Sequence, residues 1–93
     1  MNTENNKIIA EFLGYDTIVG ITVVSVIKNN QLMVFNPNSD WNWLMESVTK
    51  CKENQAFGSQ NLIDNIDDSL ISTEMDLVYF SVVEFIKWHN EQK

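Results

Sequence analysis

Apolar residues recur along this chain at two different periods, and the change of period separates helical segments from a β segment. Ile8, Ile9, Phe12 and Leu13 return at one-turn spacing, which predicts a short opening helix with Thr3 as its cap. Gly14 is placed to end that helix in a left-handed conformation, and Tyr15 can fold back on the last turn. From Thr17 to Ile27 the residues are β-branched and apolar, a composition that suits a pleated surface. Asn29-Asn30 tolerates positive φ, and Leu32, Met33, Val34 and Phe35 then resume the apolar run, so the segment reads as an antiparallel β-hairpin. Gly20, inside the first run, marks a bulge or a close approach of another backbone.

Asn36-Pro37-Asn38-Ser39-Asp40 is dense in turn and capping residues, and Ser39 or Asp40 can accept the first free amides of a helix running to about Glu53. Trp41, Leu44, Met45, Val48 and Cys51 share one face of that helix, and Trp43 points nearly opposite Trp41, alongside Lys50. A polar loop covers Asn54 to Ser59. Leu62, Ile63, Ile66 and Leu70 then predict a short acidic helix, with a third strand as the competing reading. Ser72 and Thr73 supply caps for a last helix that reaches about Asn90 and carries Glu74 and Asp76 in its first turn, where the helix dipole favours negative charge. Its stripe of Met75, Val78, Tyr79, Val82, Phe85, Ile86 and His89 is joined by Leu77, Phe80, Val83 and Trp88 on other faces. Such a helix is central to the fold or buries a second face on another chain.

These elements predict an α+β domain: an N-terminal helix, an antiparallel β-hairpin and two or three C-terminal helices around one small core. With 93 residues there is room for one such core, and a hydrophobic fraction of 44% is ordinary for a folded chain. The start Met1-Asn2-Thr3-Glu4 lacks the basic and long apolar character of a secretion signal, and the run Ile18 to Ile27 is too short and too broken to span a bilayer. A cytoplasmic protein with no membrane partner is expected. A single cysteine, Cys51, fits that address.

Charge narrows the partners further. Six basic residues against thirteen acidic ones leave a formal net charge of −7, and arginine is absent. Phosphate backbones demand cations, so direct nucleic-acid binding is disfavoured. Between Lys52 and Lys87 lie Glu53, Asp64, Asp67, Asp68, Glu74, Asp76 and Glu84 with no basic residue among them. One strongly negative flank follows, suited either to solubility or to steering a basic partner.

Reactive chemistry finds few carriers. His89 is the only histidine and lies on the core stripe of the last helix, while Cys51 lies on an apolar face where a thiol is ordinary packing. One histidine and one cysteine do not make a zinc site. Asp64-x-x-Asp67-Asp68 has oxygen ligands for a hard cation but lacks the alternating calcium-loop pattern. Gly14, Gly20 and Gly58 are scattered and match no nucleotide loop. The expectation is a protein that is not an enzyme and needs no cofactor or metal.

Three stretches in order, Ile9-Ala10-Glu11-Phe12-Leu13-Gly14, Ser39-Asp40-Trp41-Asn42-Trp43-Leu44-Met45 and Val82-Val83-Glu84-Phe85-Ile86-Lys87-Trp88, resemble small phage and prophage proteins related to the phage α-β-α sandwich domain. The resemblance covers about a third of the chain and carries no catalytic residue across. It implies a phage protein in the cytoplasm of a bacterial host, and an anti-CRISPR inhibitor of an RNA-guided effector of the RNA-cutting type VI-B class. The expected partner is accordingly a host nucleic-acid-handling protein with a basic surface, such as a Cas effector or its guide complex. Asp64, Asp67, Asp68, Glu74 and Asp76 would attract it, and the off-stripe aromatics Trp43, Phe80 and Trp88 would hold it. The alternative is a phage structural or assembly protein that forms a homodimer through its last helix.

Overall fold

The computed structural model describes residues 2–92. Four helices and one three-stranded antiparallel sheet follow in the order α1 (Asn2–Phe12), β1 (Asp16–Val19), β2 (Val24–Lys28), β3 (Gln31–Val34), α2 (Trp41–Glu53), α3 (Gln60–Ser72) and α4 (Met75–Glu91). The α+β class, the opening helix and the C-terminal helices are as the sequence predicts.

Helix α1 already includes Thr3 in its first turn, so this residue is not the cap. It ends as expected. Gly14 has φ 86°, its amide donates to the Glu11 carbonyl at 3.0 Å and the Tyr15 amide donates to the Ala10 carbonyl at 3.1 Å. These two bonds complete a Schellman cap and swing Tyr15 back over the helix.

The β segment has one strand more than the hairpin predicted. The apolar run Thr17 to Ile27 folds on itself at Gly20–Val23, where the Gly20 amide donates to the Val23 carbonyl at 2.7 Å. A Cβ on Gly20 would stand 3.2 Å from that oxygen, so a larger residue would crowd the turn. Periodicity could not show this fold-back, because both halves of the run are β-branched and apolar. The second turn matches expectation: Asn29 and Asn30 have φ 54° and 64°, which is the geometry of a two-residue type I′ connection between Lys28 and Gln31.

Strand order is β1-β2-β3. Residues directly opposite share a face, so Val24 and Val26 of β2, with Phe35 beyond β3, point inward and are buried. Helix α1 packs on that inner side against β1 and β2. Helix α4 is the centre of the helical layer and touches α1, α2 and α3. Its Val78, Tyr79, Val82, Val83, Phe85 and Ile86 are buried, which explains why apolar residues populate more than one of its faces.

Helix α2 starts where predicted, with the Asp40 carboxylate accepting from the Asn42 amide at 2.9 Å. Its buried face differs from the predicted one. Trp43, Leu44, Ser47, Val48 and Cys51 are buried, whereas Trp41 and Met45 are exposed, a rotation of about 60° at 100° per residue. Ser47 is tolerated inside because its hydroxyl donates to the Trp43 carbonyl at 2.9 Å. The segment from residue 60 to 72 is helical, and its Ile63 and Ile66 close the core against α4.

Candidate functional site

Helices α3 and α4 form an antiparallel pair because the chain reverses within two residues. Thr73 adopts φ 59° and its amide donates to the Leu70 carbonyl at 3.1 Å, while the Ser72 hydroxyl accepts from the Glu74 amide at 3.3 Å. Further along, the Ser69 and Ser81 hydroxyls meet at 2.9 Å and tie the helices together. Beside this contact lies a groove of about 310 Å³ with Leu62 and Phe80 as apolar lining and Asp68 and Glu84 as its carboxylates. Phe80, one of the three off-stripe aromatics, is 62% exposed, a point that helical periodicity left open.

The five predicted acidic residues all lie on this hairpin, but not as one cluster. Asp68 lines the groove. Asp64 accepts from the Gln60 side-chain amide at 2.9 Å, one turn away on the same helix. Asp67 is held by Lys52 of α2 at 2.7 Å, so its charge is compensated. Glu74 stands at the N-cap position of α4 without a side-chain capping bond, and Asp76 sits in the first turn, at the reversal. Eight residues of helix separate Asp64 from Ser72, about 12 Å along the axis, which keeps the two ends of the hairpin electrostatically distinct. Among the described residues no three His, Cys, Asp or Glu side chains are arranged to hold a metal ion.

The other two predicted aromatic anchors are less open than Phe80. Trp43 is only 7% exposed and cannot meet a partner as an open ring. Its centroid lies 5.0 Å from that of Phe35 and 5.8 Å from that of Tyr15, and its Nε1 donates to the Val34 carbonyl at 3.2 Å. The face opposite Trp41 is thus the one that meets β3, which helical periodicity alone does not reveal. Trp88 is half-buried, packed on Phe85 with centroids 5.8 Å apart and lying under Gly58.

Tyr15, Lys28 and Glu46 form a polar network that sequence reasoning did not single out. The Tyr15 hydroxyl donates to Glu46, and the Lys28 ammonium lies 3.2 Å from the same carboxylate and 5.0 Å from the Trp43 ring centroid. Burial, then the Glu46 contact, pushes the Tyr15 pKa up, and the neighbouring Tyr15 and Glu46 oxygens raise that of Lys28. Tyr15 from the α1–β1 connection, Lys28 of β2 and Glu46 of α2 converge here, so no local spacing could have announced them. Both shifts move Tyr15 and Lys28 further from neutrality.

The remaining reactive groups are occupied by packing. His89 stacks on Phe85 with centroids 6.4 Å apart and meets Phe12 edge-on at 5.3 Å. Cys51 is fully buried, and desolvation pushes its thiol up to about 12. Tyr79 is likewise pushed up to about 12 by burial, and its hydroxyl donates to Asn6 Oδ1 at 2.8 Å.

A second open surface was not foreseen. The register places Ile18, Ile27, Leu32 and Val34 on the outer face of the sheet, where each is at least 44% exposed, with Asp16 the one charged side chain among them. A hairpin reading left the strand faces unassigned, because the fold-back at Gly20 is what brings Ile18 beside Ser25. Comparison with protein-family models, with curated proteins and with solved structures finds no match in any of the three.

Proposed function

We propose that this chain is a non-catalytic, phage-encoded inhibitor that docks its acidic α3–α4 hairpin on a cationic surface of a host defence protein. The observation that carries the reading is the groove between α3 and α4, in which an exposed Phe80 stands with Asp68 and Glu84. An aromatic ring beside carboxylates offers apolar hold within a negative field, the pairing that suits a basic protein surface. A chain of net charge −7 is attracted to such a surface over distances of about 8 Å at physiological salt. The sequence resemblance makes an RNA-guided Cas nuclease of the RNA-cutting class the first partner to assay.

The test has two parts. Stoichiometric protein should suppress target-RNA cleavage by a purified type VI-B effector, and undiminished cleavage would remove that effector as the partner. For the partner captured, Asp64→Lys combined with Asp68→Lys should slow association at least tenfold at low salt and flatten its salt dependence. An unchanged association rate would refute steering by the hairpin. Self-association through α4 has one supporting observation, the exposure of Leu77 and Phe80 on its open side. Sedimentation of a strict monomer at high concentration would exclude it.

A further inference from the structure

The sheet has an unpaired edge whose hydrogen-bonding groups can be assigned residue by residue. The Phe35 amide donates to the Val24 carbonyl at 2.8 Å, so Phe35 turns its backbone toward β2. Because the backbone groups of successive strand residues point to opposite edges, Met33 and Gln31 also face β2, while Leu32 and Val34 face outward. Trp43 Nε1 takes the Val34 carbonyl. Among the described residues the Leu32 amide, the Leu32 carbonyl and the Val34 amide have no partner, and Leu32 is 64% exposed. Unpaired groups of this spacing are a template for one more strand.

A notch of about 170 Å³ opens beside that edge, on the inner side of the sheet. Met33 and Trp43 give it apolar walls, and Asp40, Glu46 and Lys28 leave it one negative charge in excess. We propose that the free edge of β3 receives an extended peptide segment as an antiparallel outer strand, with a lysine or arginine of that segment entering this notch. In an added strand, residues opposite Leu32 and Val34 lie on the outer face and prolong its aliphatic surface. The residue opposite Met33 points inward, its stem along Trp43 and Met33 and its charge toward Asp40 and Glu46.

A foreign segment fits better than a second copy. The sequence Gln31-Leu32-Met33-Val34 of β3 holds no basic side chain to enter the notch, and two copies each carry −7. The site lies on different elements from the acidic hairpin, so it stands or falls independently of the function proposed above.

The probe is a capped hexapeptide of alternating valine and lysine, added to the ¹⁵N-labelled protein in about 0.15 M salt. Binding should slow hydrogen exchange at the Leu32 and Val34 amides at least tenfold. N-methylation of the valines, which removes the donors facing the edge, should weaken binding at least tenfold, as should replacing the lysines by glutamates. Leu32→Pro should abolish binding while leaving the β2–β3 ladder intact, since the lost amide faces outward. The Asp64→Lys, Asp68→Lys variant should bind the peptide within about threefold of the parent, exposed charges on another element being screened. Unchanged exchange at Leu32 and Val34, equal affinity for the N-methylated peptide, or loss of binding in the hairpin variant would each overturn the proposal. So would edge protection that grows with protein concentration in the absence of peptide, because a second copy would then be the occupant.

Discussion

Raising the pH should weaken this domain in part through one buried thiol. Cys51 is fully buried on α2, and desolvation lifts its pKa from 9.0 to about 12. In the unfolded chain the thiol ionises near 9.0, so above that value the unfolded state sheds a proton which the folded state retains. The contribution to stability is therefore intact below pH 9 and is lost progressively as pH rises toward 12. Each unit of difference is worth about 1.4 kcal/mol, which gives a loss of about 2 to 3 kcal/mol between pH 9 and 11 from this group. Tyr79 adds to the same trend from pH 10 upward, since its native pKa is also raised to about 12. Urea unfolding at steps from pH 7 to 11, with Cys51→Ala as reference, isolates the thiol. The substitution lowers stability at pH 7 through the atoms it removes, but its profile should be flatter, so the two curves converge above pH 9. Parallel profiles would refute the burial of Cys51, as would rapid labelling of the native thiol at pH 8.

Two further outcomes test the packing that presents the surfaces. Asn6→Ala should destabilise the domain by about 1 to 3 kcal/mol, because it removes both the donor to Asn38 Oδ1 and the 2.8 Å acceptor of the buried Tyr79 hydroxyl, leaving that hydroxyl only the Asn2 carbonyl at 3.4 Å. Tyr79→Phe in that background should recover part of the loss, and thermal melts of the four variants read the coupling. Gly14→Ala should cost about 1 to 2 kcal/mol, since at φ 86° the penalty is backbone strain and nothing lies within 4 Å of the added Cβ. For a domain of this size that is a fall of about 4 to 16 °C in Tm.

The helical part of the fold was legible because its signals are local. The Asp40 cap, the Gly14 cap and the Asn29-Asn30 turn each act over a few residues, and the structure uses all three. The β segment was legible in class but not in strand number. One continuous run of valine and isoleucine satisfies a single long strand as well as two short ones, and the deciding contact, Gly20 with Val23, involves only backbone. The same limit governs the site. Phe80 was recognisable as an off-stripe aromatic of α4, whereas Trp43, equally off its stripe, is buried because Phe35 and Tyr15 arrive from distant elements to cover it. The Lys28–Glu46 pair and the partnerless Leu32 amide depend on tertiary register, for which no residue spacing is a proxy.

The outer face of the sheet carries almost no charge while the molecule as a whole is strongly acidic, and that contrast bears on why the apolar face can be tolerated. The aliphatic outer face of Ile18, Ile27, Leu32 and Val34 adjoins an open strand edge, a combination that ordinarily promotes association. Three features oppose it. The strands are four or five residues long, Trp43 occupies one carbonyl of the edge, and the whole chain carries −7. Like-charge repulsion between copies acts before contact, whereas the sheet face itself needs almost no charge, so it keeps an apolar character that a partner can bury. A cationic partner reverses the sign of the long-range term without altering the short-range one. The acidity that keeps identical chains apart is thus the same property that would draw an opposite surface in, and the two effects must weaken together as salt is raised.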